Sequence, residues 1–210
     1  MFFGLIPVII IRMSYIIVGL GNPGEEYADT RHNTGRMMLE AFRAAHKFPE
    51  LVAKSKYSAL VSEGEVGKES VLLIAPETFM NKSGSSLKPI AWNPKKAEKL
   101  VVIYDDLDLP LGKVKMSFNR GSGGHKGLES VTKAVKTPAF IRIRVGISPE
   151  TPSGKLKKPS GDKIVGDFIV APFKKAEEPI LKKVAKQVTE ALDLIISEPR
   201  EIAMGKINSN

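Results

Sequence analysis

The stretch Ile17-Val18-Gly19-Leu20-Gly21-Asn22-Pro23-Gly24, running on through Tyr27 to Thr30-Arg31-His32-Asn33, decides how the chain is read. An apolar run that stops at a glycine turn is a strand buried on both faces, leading into a loop. The loop carries an Asn, and an Arg-His-Asn triplet precedes a helical pattern that opens at Thr34. An imidazole and two amides therefore stand beside a strand end, where an open α/β sheet places its chemistry. The same residues spell Gly19-x-Gly21-x-x-Gly24, the dinucleotide-binding pattern. That pattern needs its third glycine to open a helix directly and an acid to close a second strand about 20 residues on. Here Pro23-Gly24-Glu25-Glu26-Tyr27 reads as a turn, and Glu40 lies inside a helical pattern. The nucleotide reading fails on context.

Working outward, the spacing predicts strands over Tyr15–Leu20, Tyr57–Ser62, Ser70–Ala75, Leu100–Tyr104, Lys113–Phe118 and Ile141–Ile147. Helices fit Thr34–Lys47, Phe79–Trp92, His125–Lys136 and roughly Phe173–Ile196. In the last, Ile180, Val184, Val188, Leu192 and Ile195 form one apolar stripe, and Pro179 marks either a start or a kink. Strands alternating with helices give an α/β fold: a single domain with a twisted, mostly parallel, mixed central sheet flanked by helices. The domain is expected over residues 14–204, with 205–210 as a tail and Pro149–Gly161 as a mobile loop. Residues 1–13 are oddly apolar but too short for a bilayer, which takes about 20. They lack the basic start and cleavage site of a secretory signal. An upstream start or a loose extension is preferred over a membrane tether.

The 210 residues suffice for one substantial core, and the 42% apolar and 26% charged shares exclude a disordered or fibrous chain. With no cysteine, neither disulfides nor thiolate chemistry is available. The three histidines, His32, His46 and His125, have no close-spaced partner, which speaks against a metal centre. The net charge of +9 is concentrated: between Lys113 and Arg144 eight Lys/Arg face one acid, Glu129, so that segment carries +7. Such a concentration is either a solvated face or a surface for a polyanion, and nucleic acid phosphate explains it better.

Polar residues fall at the ends of the apolar strands. Asn22 follows the first, Asn81 follows Ser70–Ala75, and Asp105 and Asp106 follow Leu100–Tyr104. If these strands are parallel neighbours, the side chains and His32 converge on one crevice. A His with a carboxylate partner takes a proton from water, because the carboxylate fixes the tautomer and stabilises the imidazolium. Each residue alone has a plainer use, as helix cap or turn former. Asp108 reads as structural. No Gly-x-Ser-x-Gly elbow appears, and Ser122 lacks the buried strand that would precede one. A metal held by His32, His125 and Asp105 finds no support in their spacing.

With these residues assembled, the chain resembles the bacterial-type peptidyl-tRNA hydrolases. The matching segments are Val18-Gly-Leu-Gly-Asn-Pro-Gly24 with Tyr27 and Thr30-Arg-His-Asn33, Pro76-x-Thr-Phe-Met-Asn-x-Ser-Gly84 and Asp105-x-Leu-Asp-Leu-Pro110. Gly123-Gly-His-x-Gly-Leu128 and Arg142-Ile-Arg144-Val-Gly146 follow in the family's order. The resemblance implies hydrolysis of the ester between a peptide and the 3′-terminal ribose of tRNA, without covalent intermediate, metal or cofactor. It implies His32 as general base and Asp105 as its partner. Asn22, Tyr27, Phe79, Met80 and Asn81 would meet the peptide, and Lys113, Lys115, Arg142 and Arg144 the tRNA; Lys126, whose family role is not carried over, is expected to contact RNA through its charge. A cytoplasmic monomer with no membrane partner is the family expectation. One departure stands out: Lys126 takes the place of a common Asn.

Overall fold

The structure, a computed structural model, describes residues 13–209; the apolar segment 1–12 and its reading lie outside the described residues. Seven strands form one sheet in the order β2-β3-β4-β1-β5-β7-β6. They are β1 (Met13–Gly19), β2 (Val52–Lys54), β3 (Ala59–Val66), β4 (Glu69–Pro76), β5 (Leu100–Pro110), β6 (Val114–Phe118) and β7 (Ile141–Ser148). The four central strands β4, β1, β5 and β7 run parallel, while β2, β3 and β6 attach antiparallel at the edges. The sheet is mixed, with a parallel centre, as the alternating pattern implies.

Alternation along β1 divides the interior into two layers. Tyr15 and Ile17 face the layer that contains Met38, Leu39 and Phe42 of α1 (Thr34–Ala45). Val184, Val188 and Leu192 of α5 (Glu178–Ser197) complete that side. Ile16 and Val18 face the other, with Leu128, Val131 and Val135 of α3 (Lys126–Val135). A continuous apolar strand is thus what two covered faces require.

Differences from the expected elements have local causes. The segment Phe79–Trp92 is not an α-helix: a 3-10 helix spans Met80–Leu87. Its Asn-Lys-Ser-Gly-Ser-Ser run is poor in helix formers apart from Lys82, and the Ser83 hydroxyl donates back to the Met80 carbonyl at 2.8 Å. The long C-terminal helix starts at Glu178, with Pro179 in its first turn, so the proline opens the helix rather than kinking it. Ile180 is 37% exposed and drops out of the stripe. Three further helices escape the sequence pattern: α2 (Pro94–Ala97), α4 (Asp162–Val170) and α6 (Arg200–Asn208). The last corrects the expected tail, since Ile207 is buried and the Asn208 amide brackets the backbone of Met116 at 2.9 and 3.0 Å. β5 runs on to Pro110, which puts Asp105 and Asp106 inside the strand, paired with Val145 and Gly146 of β7.

One close approach positions the functional end. A Cβ on Gly35, in the first turn of α1, would fall 2.3 Å from the Ile103 carbonyl oxygen and 2.5 Å from the Leu20 nitrogen. The start of α1 therefore sits directly on the ends of β1 and β5. Replacing Gly35 by Ala is expected to cost about 1–3 kcal/mol, because backbone on both sides must shift. Gly166 of α4 has nothing within 4 Å of an added Cβ. Gly166→Ala should stabilise by up to about 1 kcal/mol through helix propensity. Denaturant unfolding of both variants checks the contrast.

Candidate active site

The 3-10 turn Arg31–Asn33 precedes α1 and is carried over the strand ends by it. There His32 Nδ1 meets both oxygens of Asp105, at 2.9 and 3.0 Å. From the other side His125 Nε2 reaches Asp105 Oδ1 at 3.2 Å. His125 is the N-cap of α3, and its Nδ1 accepts the Leu128 N–H at 3.3 Å. With Nδ1 accepting, the proton of a neutral His125 sits on Nε2 and points to the carboxylate. Asp105 thus receives two imidazole N–H donors, and Nε2 of His32 is left as the basic nitrogen. The two rings lie 5.1 Å apart between centroids.

The amides are arranged by backbone. Asn33 Oδ1 accepts the Asn22 N–H at 2.8 Å, and Asn33 Nδ2 donates to the Asn22 carbonyl at 2.9 Å. That bracket fixes the loop after β1. Asn22 Oδ1 in turn accepts the Met80 N–H at 2.9 Å, so its Nδ2 is the atom left to donate. Met80 is buried, Phe79 is 58% exposed, and Tyr27 meets Phe79 edge-on at 6.4 Å. Asn81 is exposed at the rim beside them. The structure therefore brings His32, Asp105 and Asn22 together with the Phe79–Asn81 segment, as the strand ends suggest.

Two residues of the site were not legible as members. The histidines are not isolated: His32 and His125 share one carboxylate, and the ligand atoms of His32, Asp105 and His125 lie within 4.8 Å of one another. In the structure the three are joined by hydrogen bonds through the shared carboxylate. The sequence sets His125 at the head of a helical pattern and in the Gly123–Leu128 segment but gives it no role beside Asp105. Arg31 is the other. Its guanidinium donates to the Pro172 carbonyl at 2.8 Å and to Glu177 at 2.9 Å, between the rings of Phe168 and Phe173 at 4.8 and 4.7 Å.

The expected RNA contacts divide. Arg142 is 1% exposed, with its guanidinium donating to the Gly121 carbonyl at 2.8 Å and lying 4.6 Å from the Phe140 ring centroid. It is a core residue, which corrects its assignment to phosphate contact. Lys115 Nζ donates to the Asn208 carbonyl near the end of α6. Lys113 is half-buried beside α5, with Gln187 and Glu190. Arg144 is partly exposed and pairs with Asp106 at 2.7 Å. Lys126 is exposed in the first turn of α3.

Electrostatics follow from this packing. Burial would raise the Asp105 pKa, but the His32 charge and the hydrogen bonds from both rings hold it well below the usual carboxylate range. Asp105 is therefore ionised at neutral pH. Burial pulls His32 down, Asp105 pulls it up by charge and hydrogen bond, and Lys126 pulls it down; the net shift is upward.

These features define an α/β protein in which a buried carboxylate orients an imidazole at the carboxyl edge of the sheet. The sequence profile described as peptidyl-tRNA hydrolase matches residues 16–210. The peptidyl-tRNA hydrolase of Carboxydothermus hydrogenoformans is 37% identical over 195 residues, covering 92% of this chain and 98% of that protein. That of Listeria welshimeri is 36% identical over 194 residues, covering 92% and 99%. The crystal structure of peptidyl-tRNA hydrolase from Acinetobacter baumannii superposes with a TM-score of 0.80 at 29% identity, covering 94% of this chain and 96% of that one. The chain belongs to the peptidyl-tRNA hydrolase family.

The His32 shifts give a pH prediction. With His32 as the base, which must be deprotonated to act, activity is expected to rise as pH climbs through the raised His32 pKa, with the acid limb above the usual imidazole value. Lys126→Asn removes a depressing charge and should move that limb further up. Asp105→Asn should move it down and slow the reaction. The pH profile of kcat/KM for the three proteins reads all of this.

Proposed function

We propose that this chain hydrolyses the ester joining a peptide to the 3′-terminal ribose of tRNA, with water activated by His32. The observation that carries the proposal is the His32–Asp105 pair at 2.9 Å, placed by the α1 turn beside the Asn22 amide. His32 Nε2 takes a proton from water while Nδ1–H stays on the Asp105 carboxylate. The resulting hydroxide attacks the ester carbonyl. Asn22 Nδ2 is placed to donate to an oxygen of the reacting group, and donors of this kind lower the energy of developing oxyanion charge. When the tetrahedral centre collapses, the bond to the ribose oxygen breaks and the imidazolium returns its proton to that oxygen. The products are a peptide carboxylate and tRNA with a free 3′-hydroxyl.

In this reading Tyr27, Phe79, Met80 and Asn81 line the side that receives the peptide, with the exposed Phe79 ring supplying apolar surface. Lys126 and Arg144 face the RNA side. Neither metal nor cofactor takes part, and one chain carries the whole set, which supports action as a monomer. Among the described residues no helix is long and apolar enough to cross a membrane.

The test is single-turnover release of tRNA from N-acetyl-aminoacyl-tRNA. His32→Ala is expected to lower the rate by about 10²–10⁴-fold, the usual weight of general-base catalysis, and chelator should leave the wild-type rate unchanged. Equal rates for the two proteins would remove His32 as base. Tight tRNA binding with no release would replace hydrolysis by RNA binding alone.

A further inference from the structure

Next to the Phe79–Asn81 rim lies a groove that the reaction scheme does not use. It has a volume of about 240 Å³ and runs between the 3-10 helix Met80–Leu87 and α3. Its lining begins at Asn81, the neighbour of the Met80 whose N–H is held by Asn22, so it opens on the side given to the peptide. A Cβ on Gly84 would fall 2.0 Å from the Ser130 carbonyl oxygen, and the Gly84 N–H donates to Ser130 Oγ at 2.9 Å. The two walls are therefore locked at backbone distance.

The lining is polar and of one sign. Lys82, Lys88 and Lys133 stand around it, with Ser85 and Ser130 between them. All three lysines are exposed, and among the described residues none of their ammonium groups makes a hydrogen bond or an ion pair. The two elements carry a single acid, Glu129, whose carboxylate accepts from the Ser122 hydroxyl at 3.3 Å. Helical rise sets Lys133 about 12 Å along α3 from His125. An extended peptide covers that distance in about three to four residues.

We propose that this groove takes the peptide residues about two to four positions before the ester-linked one and selects acidic side chains among them. The inference rests on the hydrolase reading for the identity of the substrate, but its charge argument is independent of cleavage. Peptide and ribose leave the ester carbonyl in opposite directions, and the groove continues the peptide side. Phe79 and Met80 offer apolar surface beside the first residue, whereas the residues behind it meet lysines. Three cations on a concave surface with almost no acid give a local positive potential that a helix face with interspersed acids would not. Ammonium groups on flexible stems meet carboxylates without a fixed geometry, so the groove reads the charge of a segment rather than its order. A basic segment sets like charges together there, and that repulsion adds to the discrimination.

The experiment measures the affinity of the full chain for N-acetyl tetrapeptides joined by a stable amide to 3′-amino-3′-deoxyadenosine. The peptides are Asp-Asp-Asp-Phe, Ala-Ala-Ala-Phe and Lys-Lys-Lys-Phe. An exposed ion pair contributes about twofold in affinity, so the Asp probe should bind roughly tenfold tighter than the Ala probe, and the Lys probe more weakly than both. The spread should shrink toward 1 M salt, where the screening length falls to about 3 Å. In the K82Q/K88Q/K133Q variant the three affinities should converge. A control, K54Q/K68Q/K182Q, removes the same charge from exposed positions on β2, the β3–β4 turn and α5, and should keep the preference. Equal affinities in the wild type, an unchanged preference in the groove variant, or an equal loss in the control would overturn the proposal. So would a groove variant that loses affinity for a deacylated tRNA hairpin with its probe preference intact, since the lysines would then serve RNA. If the probes show the groove-dependent preference yet the wild type releases no tRNA from the ester, the hydrolysis reading fails while the groove stands. Release of tRNA with no preference among the probes leaves hydrolysis standing and removes the groove.

Discussion

A single ionised carboxylate inside a central strand governs the functional half of this molecule. Asp105 is 3% exposed, flanked by β1 and β7, and far too buried to hold a charge without donors. A buried charge left alone costs several kcal/mol, and removing one partner of a buried pair is correspondingly damaging. The fold answers with two imidazole N–H groups brought from different directions. His32 arrives on the turn before α1, which the Gly35 contact presses onto the strand ends; His125 arrives as the cap of α3. The same pairing that stabilises the carboxylate raises the basicity of His32. Because the Asp105 pKa is depressed, its contribution to stability is present above the ordinary carboxylate range. That contribution is lost only as pH falls through the lowered value. Structure and proposed chemistry therefore rely on one ionised group.

How much of this could be read from the chain depends on where the information is stored. Buried strands announce themselves because both faces must be apolar, so β1, β4 and the start of β5 are legible to within a residue or two. Their parallel order follows from the helices between them, and with it the convergence of Asn22, His32 and Asp105. The far end of β5 is less legible: Asp105 and Asp106 resemble turn formers, and only pairing with Val145 and Gly146 keeps them in the strand. The place of His125 beside Asp105 is not legible because its relation to His32 is set by packing between α3 and the sheet. Elements that bury little leave little trace, which is why α4, without one fully buried residue, receives no assignment from the sequence.

Charge is the least local quantity of all. The +7 between Lys113 and Arg144 is a real property of the sequence, yet folding gives several of those cations partners from elsewhere. Asp106 takes Arg144, the Asn208 carbonyl takes Lys115, and Phe140 with the Gly121 carbonyl encloses Arg142. Meanwhile Lys82 and Lys88, which stand outside the basic stretch, become neighbours of Lys133 across the α3 groove. Counting charge along a chain locates a surplus; it does not locate the cations that remain to meet a ligand.

The residue before His32 ties the most weakly packed helix to the site. Arg31 occupies the cage of Phe168 and Phe173, and its backbone N–H donates to the Ala171 carbonyl at 3.1 Å. Thr30 forms a β-bridge with Pro172, and the Phe173 N–H donates to Asp29 at 3.0 Å. These contacts gather α4 and the segment after it onto the one turn that carries His32. Helix α4 itself leaves Ile164 61% exposed and Val170 45% exposed, so burial does little to hold it. An element attached by a few polar and ring contacts opens at lower free energy than a core helix. Its attachment converges on the neighbour of His32. Any displacement of α4 is therefore felt first by the Arg31–Asn33 turn, whereas Asp105, inside β5, stays with the sheet. The carboxylate and the imidazole are thus held by different parts of the fold, the strand β5 and the turn before α1.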